Sequence, residues 1–347
     1  MSTTIEDQRE KAGFHFDEAI YPDVLVSIEL KNILTSLCSD YQKIQVIDTS
    51  FGRTLVTDGK TQSTEMDERS YHESLVHPPM LKCAVSKGNN DGPRSVFIGG
   101  GGELATAREV LRHASVERVV MVDLDEKVIE VCSKYLPEWG GEKVRNDPRF
   151  ELVIGDAYEY LNNCIEKFDV IIMDISDPIE AGPGIMLYTE EFYHHAKTLL
   201  NPNGVFVTQA GIADGIQPES GKDCASFAAI ANTLNASFDC MVPYTMNIPS
   251  FGSDWGYVMA YDSSEEAQVD IGRYVDISSS KLDLMIKNMI TETSHLFSET
   301  DSKDKFQSLM YYDGLTHRRM FSLPKPLRDN MALDKRIMTK DNPVFMF

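Results

Sequence analysis

The chain has 347 residues, room for two domains or for one large domain with appendages, and its 42% hydrophobic and 25% charged content is that of an ordinary globular protein. Its 33 basic against 54 acidic side chains leave a net charge of −21, which argues against binding a phosphate backbone and suits small cationic ligands. No apolar run approaches the ~20 residues of a membrane span. Six cysteines (Cys38, Cys83, Cys132, Cys164, Cys224, Cys240) are scattered without CxxC pairs or zinc-ligand spacing. The start, MSTTIEDQREK, has neither the apolar core of a signal peptide nor the Arg-rich character of a transit peptide. A cytoplasmic protein with reduced thiols is expected, with no metal, nucleic-acid or membrane partner.

Up to about Glu68, strand-like runs (Val24–Leu30, Lys43–Asp48, Arg53–Thr57) are separated by turns, and Asp58-Gly59 is a hairpin signal. They predict a small antiparallel β domain over 1–68. From Ser95 the pattern alternates strand and helix. The predicted strands are Ser95–Ile98, Arg118–Val122, Phe150–Ile154, Phe168–Met173 and Gly204–Thr208, with amphipathic stretches such as Glu126–Tyr135 between them. The fold class is therefore α/β, a doubly wound Rossmann-like parallel sheet of the methyltransferase type behind the N-terminal β domain. The catalytic domain is expected over 69–275 and a C-terminal helical extension over 276–347. In that last region Leu282–Ile290 reads as a helix and Asp301–Lys305 as a polar loop.

The carboxyl ends of all five strands carry a polar residue: Gly99 to Glu103, Asp123, Asp156, Asp174 with Asp177, and Gln209. For any one of them, capping of the following helix is an equally good reading. For the set, behind a glycine-rich first turn, a ligand site at the strand ends is the better one. Gly100-x-Gly102-x-x-Ala105 followed by Asp123 formally fits a dinucleotide fingerprint. However, a pyrophosphate over that turn would face Glu103, and like charges ~4 Å apart cost on the order of 4 kcal/mol at an effective dielectric near 20. The carboxylate of S-adenosylmethionine meets the same obstacle. Decarboxylated S-adenosylmethionine presents an ammonium and a sulfonium instead. Asp123 suits a ribose diol, and Asp156-Ala157 is placed for an adenine edge. Asp174 and Asp177, three residues apart on a turn stiffened by Pro178, suit a dicationic amine better than a metal.

Tyr41-Gln42, Asp58-Gly59-x-x-Gln62, Tyr71-His72-Glu73, the GGGE run at 100–103, Asp123-x-Asp125, Gly155-Asp156-Ala157 and DxSDP at 174–178 together resemble the polyamine aminopropyltransferases, the spermidine synthase family. Tyr71-His72-Glu73-Ser74, Glu103, the run from Ala107 to His113 and that from Asp177 to Pro183 are similar to the plant-type thermospermine synthases within it. The resemblance implies that Gln42, Asp123, Asp156 and Ala157 hold the nucleoside of decarboxylated S-adenosylmethionine over Gly100, Gly101 and Gly102. It places Glu103 and Asp174 near the aminopropyl arm. It also implies that Asp174 accepts the proton beside Tyr71, and that Tyr71, His72, Asp177 and Gln209 position the acceptor, spermidine or putrescine. His72 departs from the Gln common among spermidine synthases, and Leu104-Ala105 replaces the usual Gly pair. Methylthioadenosine would be the product, and a homodimer or homotetramer the expected assembly. Spermidine to thermospermine is the expected reaction, with spermidine synthase (putrescine acceptor) and spermine synthase the alternatives within the family; an S-adenosylmethionine methyltransferase and a non-catalytic polyamine-binding protein are the readings from other classes.

Overall fold

Asp58 and Gly59 take φ of 48° and 81° and make the tight turn their sequence predicts. The turn joins two strands of the first sheet in the computed structural model, which describes residues 13–88, 92–179, 182, 184–219, 226–290 and 309–346. The N-terminal stretch, Cys224, the Asp301–Lys305 loop, and Glu180, Ala181 and Pro183 lie outside the described residues. The first sheet is antiparallel, five strands in chain order: β1 (His15–Tyr21), β2 (Val24–Cys38), β3 (Lys43–Thr49), β4 (Gly52–Thr57) and β5 (Lys60–Thr64). β2 runs on past Leu30 because register shifts at Leu30/Asn32 and Ile33/Thr35 absorb the break in its alternation.

The 20-residue helix α1 (Glu68–Lys87) follows, buried along almost its whole length. It passes through Pro78 and Pro79 without stopping. Pro78 has no N–H for the carbonyl of Ser74, one turn back, and the Tyr244 hydroxyl donates to that carbonyl instead at 3.1 Å. The Tyr274 hydroxyl likewise donates to the Pro78 carbonyl at 2.6 Å.

The second sheet contains β6 (Ser95–Gly100), β7 (Arg118–Asp123), β8 (Phe150–Ile154), β9 (Phe168–Asp174), β10 (Leu200–Ile212), β11 (Cys240–Ile248) and β12 (Ser253–Tyr261), in the order β11-β12-β10-β9-β6-β7-β8. Pairing is parallel from β8 to β10, and β12 lies antiparallel between β10 and β11. This is the doubly wound sheet expected, with the β11–β12 hairpin added to it. The central strands are buried on both faces, so Phe97, Ile98 and the run Val170–Met173 are apolar without alternation. Helices α2 (Ala105–Leu111), α3 (Glu126–Tyr135), α4 (Gly141–Arg145), α5 (Ala157–Asn163), α6 (Glu190–Thr198) and α7 (Phe227–Ser237) connect the strands. Strand order reverses between β6 and β9, and α/β sheets open a crevice at such a point, beyond the strands' carboxyl ends.

Beyond β12 come α8 (Ala267–Val275), α9 (Ser279–Met289), α10 (Gly314–Met320) and α11 (Lys325–Leu333). Tyr312, Met320, Leu323, Leu327, Met338 and Val344 are buried, so this region is packed on the core rather than merely solvated. Its anchor is Glu73 on α1. That fully buried carboxylate accepts hydrogen bonds from the backbone N–H groups of Met310, Tyr311 and Tyr312 at 2.8–2.9 Å. Stranding buried donors costs ~1–3 kcal/mol each before relaxation. Glu73→Ala is expected to lower unfolding stability by about 3 kcal/mol and to deprotect the amides of 310–312 in hydrogen exchange, both checked against Glu73→Gln, which keeps an acceptor oxygen.

Candidate active site

The crevice begins with a backbone constraint. Gly100 pairs with Asp174 across β6 and β9, at φ +79°, and a Cβ there would lie 2.1 Å from the Asp174 carbonyl oxygen. Only glycine fits. The N–H of Gly101 donates to the same carbonyl at 3.0 Å. The glycine turn and Asp174 are thus one rigid unit. The Asp174 carboxylate receives the Tyr71 hydroxyl on Oδ1 at 2.7 Å and the Thr106 hydroxyl on Oδ2 at 2.5 Å. Burial above all, and then the charge of Glu103, raise its pKa to about 6 against the pull of His72 and the two hydroxyls. Thr106 is not among the residues the sequence singles out. Its only signal there is its place in the first turn of the helix after the glycine run.

Glu103 and His72 form the next layer. His72, on α1, is fully buried, with Nε2 3.0 Å from Glu103 Oε1 and Nδ1 2.6 Å from the Glu68 carbonyl and 3.0 Å from Glu68 Oε2. Carboxylates only accept, so both ring nitrogens carry protons and the ring is an imidazolium. Burial opposes that charge, but the hydrogen bonds and charges of Glu103 and Glu68 prevail and lift the pKa to about 10. His72, Glu103 and Asp174 present atoms within 4.8 Å of one another, a spacing a metal could use. A doubly protonated imidazole has no lone pair to give one, so the donor set suits an ammonium better.

Asp123 ends β7 below Gly102, where a Cβ would meet its Oδ2 at 2.9 Å. Burial first, then the charges of Glu103, Asp125 and Asp174, push Asp123 to about 7, although the Asp125 N–H donates to it at 2.9 Å. Gln42 arrives from the first sheet, its Nε2 donating to Asp125 Oδ2 at 3.0 Å beside the Ser39 hydroxyl at 2.6 Å. Asp125 is therefore the residue that sets Gln42 beside the crevice. Asp156 caps α5, its Oδ1 accepting from the N–H groups of Tyr158 and Glu159, so the helix-capping reading holds for that oxygen. Ala157, buried, opens the same helix.

Asp177 lies on the turn after β9. Burial raises it to about 6, opposed by the Gln209 amide, whose Nε2 lies 3.1 Å from Asp177 Oδ1. Gln209 itself is occupied. Its Nε2 also meets the Ile175 carbonyl and the Tyr188 hydroxyl, and its Oε1 accepts from Gly211 N–H and from Trp255 Nε1. A register shift between Gln209 and Ile212 turns the strand end inward to make these bonds. Trp255 packs edge-on to Phe251 at 4.7 Å, and Phe251 to Tyr71 at 5.9 Å, an aromatic wall joining the Asp177 end to the Asp174 end. His194 and His195 hydrogen-bond Ser237 and the Leu161 carbonyl, among structural groups. Among the described residues, no helix is long and apolar enough to cross a membrane.

Residues 68–271 match the family profile described as the spermine/spermidine synthase domain, and residues 14–65 match the spermidine synthase tetramerisation domain. The chain is 38% identical over 323 residues to polyamine aminopropyltransferase 2 of Hyperthermus butylicus, covering 93% of both chains. It is 42% identical over 261 residues to the thermospermine synthase ACAULIS5 of Arabidopsis thaliana, covering 74% of this chain and 72% of that one. A spermidine synthase solved in complex with the transition-state analogue AdoDATO superposes with a TM-score of 0.74 at 28% identity, over 93% of this chain and 97% of that one. The acid-lined crevice and these likenesses agree, and the chain belongs to the spermine/spermidine synthase family of polyamine aminopropyltransferases.

Proposed function

We propose that this chain moves the aminopropyl group of decarboxylated S-adenosylmethionine onto spermidine, giving thermospermine and methylthioadenosine. The observation that carries the reading is the gathering of Glu103, Asp123, Asp174 and Asp177 at the carboxyl ends of β6, β7 and β9, where burial raises the three aspartates above the usual carboxylate range. Such a group suits cations that would restore ordinary ionisation. The choice of spermidine rests on the likeness to the thermospermine synthase; the spermidine synthase that superposes favours putrescine as the second reading.

In this assignment Gln42, Asp123, Asp156 and Ala157 hold the nucleoside over Gly100, Gly101 and Gly102. Glu103 takes the aminopropyl ammonium, and Tyr71, Asp174 and Asp177 take the acceptor. His72 and Gln209 work through Glu103 and Asp177, since their own polar atoms are engaged. The neutral acceptor nitrogen attacks the methylene on the sulfonium sulfur. The C–N bond forms, the C–S pair leaves with sulfur as a neutral thioether, and the proton of the new ammonium passes to ionised Asp174. Positive charge moves from sulfur to nitrogen, so alignment and fixed carboxylates supply the catalysis.

Parallel incubations with putrescine, spermidine and spermine, resolved by chromatography that separates thermospermine from spermine, are expected to give thermospermine; use of putrescine alone would refute this acceptor. Asp174→Asn is expected to cut kcat by ~10³-fold or more while calorimetry still detects methylthioadenosine. Near-normal turnover in that variant would remove Asp174 from the reaction. A bound cation lowers the raised pKa values of Asp174 and Asp177, so spermidine binding at about pH 6.5 should release roughly half a proton, and affinity should weaken as pH falls from 7 to 6. Calorimetry in buffers of different ionisation enthalpy reads this directly, and zero release contradicts it. Light scattering is expected to find a homodimer or homotetramer, with Leu25 and Ile33 of the first sheet, and Phe14 just before it, exposed on the single chain; a monomer would count against that assembly.

A further inference from the structure

Behind Glu103 lies a chain of buried charges that the transfer chemistry does not use directly. Arg108 on α2 is fully buried and grips Glu68 with two bonds, Nη1 to Oε1 at 3.1 Å and Nη2 to Oε2 at 2.8 Å. Its Nε donates to Glu109 at 2.9 Å and Nη1 also to the Glu138 carbonyl at 3.0 Å, so the guanidinium is fixed. Glu68 then accepts from His72 Nδ1, and His72 Nε2 reaches Glu103. The signs alternate along the line: guanidinium, carboxylate, imidazolium, carboxylate. We propose that Glu68 is a positioning residue for the aminopropyl transfer: locked by Arg108, it keeps His72 doubly protonated, and His72 in turn fixes Glu103 through one oxygen and leaves the other for the ligand's ammonium.

The inference rests on the transferase reading given above. Its physical ground is the crowding of acids. His72 faces Glu68 on its own helix, Glu103 from the loop after β6 and Asp174 from β9, while Arg69 on the same helix and Arg108 on α2 face Glu68. The Tyr71 ring stands edge-on at 5.0 Å. A neutral ring would leave Glu103 uncompensated beside Asp123 and Asp174, and both would hold their protons more tightly. Glu68 prevents this because its own ionisation is secured: burial opposes it, yet the charge of Arg108 and the His72 bond hold its pKa at about 2.

The test is a cycle of four proteins: wild type, Glu68→Gln, His72→Gln and the double variant. Gln at 72 still donates to Glu103 but carries no charge for Glu68 to sustain. In the wild-type background Glu68→Gln is expected to lower kcat/KM about tenfold and to move the acid limb of its pH profile up by about one unit. In the His72→Gln background the same change should alter kcat/KM less than about twofold. Equal losses in both backgrounds, with an unmoved acid limb, would make Glu68 a scaffold residue only. Nitrogen-15 NMR of the His72 ring needs no turnover. An imidazolium at about pH 8 in the wild type and a neutral ring in Glu68→Gln support the relay, and a ring neutral in both overturns it. If the wild type transfers to no amine, the transferase reading has failed, and this spectrum decides the relay separately.

Discussion

Like charges crowd the crevice between β6, β7 and β9, and much of the surrounding structure is what allows them to stay there. Glu103 raises the pKa of both Asp123 and Asp174, and Asp174 raises that of Asp123, an interaction water would screen and a protein wall does not. To bring the carboxylates so near, the backbone between them must be bare. Hence Gly100 lies against the Asp174 carbonyl and Gly102 against the Asp123 carboxylate. The turn ends in Leu104, a bulky residue at φ 74° with no exposed surface. A left-handed conformation there costs of order 1–3 kcal/mol and persists only where its surroundings enforce it. Here the Leu104 N–H donates to the Gly101 carbonyl at 2.7 Å, closing the loop over the glycines.

The acids are held by a helix that has little freedom to move. α1 supplies Tyr71 to Asp174 and His72 to Glu103, and it is fixed from outside at several points. Tyr244 and Tyr274 replace or supplement the carbonyl partners around its two prolines. Glu73 ties it to 310–312, and Tyr257 from β12 donates to the Tyr71 carbonyl at 3.3 Å. The β11–β12 hairpin and the C-terminal helices are therefore continuous with the site, although neither supplies a carboxylate to Asp174. The first sheet has the same relation to the nucleoside side, reaching it through Ser39, Gln42 and Asp125.

The fold from β6 to β10 could be read from the sequence because parallel strands buried on both faces are uninterrupted apolar runs. The candidate site could be read because its acids stand where those runs stop. α1 carried no comparable sign. Buried on all sides, it has no polar stripe, and Pro78-Pro79 argues against a helix at all. The pairing of Glu68 with Arg108 is illegible for a related reason: composition reports that charges exist, and only the fold reports that two of them meet out of water. Gln209 was legible as a polar strand end. That its amide is turned inward depends on a bulge at Gly211, which leaves no trace in hydropathy. Its partner is Trp255.

The proposed transfer asks opposite things of Asp174 and Asp177, and their surroundings differ accordingly. A carboxylate stabilises an ammonium, yet the attacking nitrogen must be neutral, so the acid beside it must not bind the cation too firmly. Two hydroxyl donors already occupy Asp174, one on each oxygen, spreading its charge into Tyr71 and Thr106. Tyr71 remains a phenol, its own pKa pushed far up by burial and by the Asp174 charge, so it donates throughout. Asp177 is braced instead by one amide that is itself fixed on both sides, which suits a group that grips a distal ammonium and takes no part in the bond change. The spacing of the acceptor's nitrogens is then measured between a softened carboxylate and a firm one. The aromatic wall of Tyr71, Phe251 and Trp255 runs between them, where the methylenes of the amine would lie.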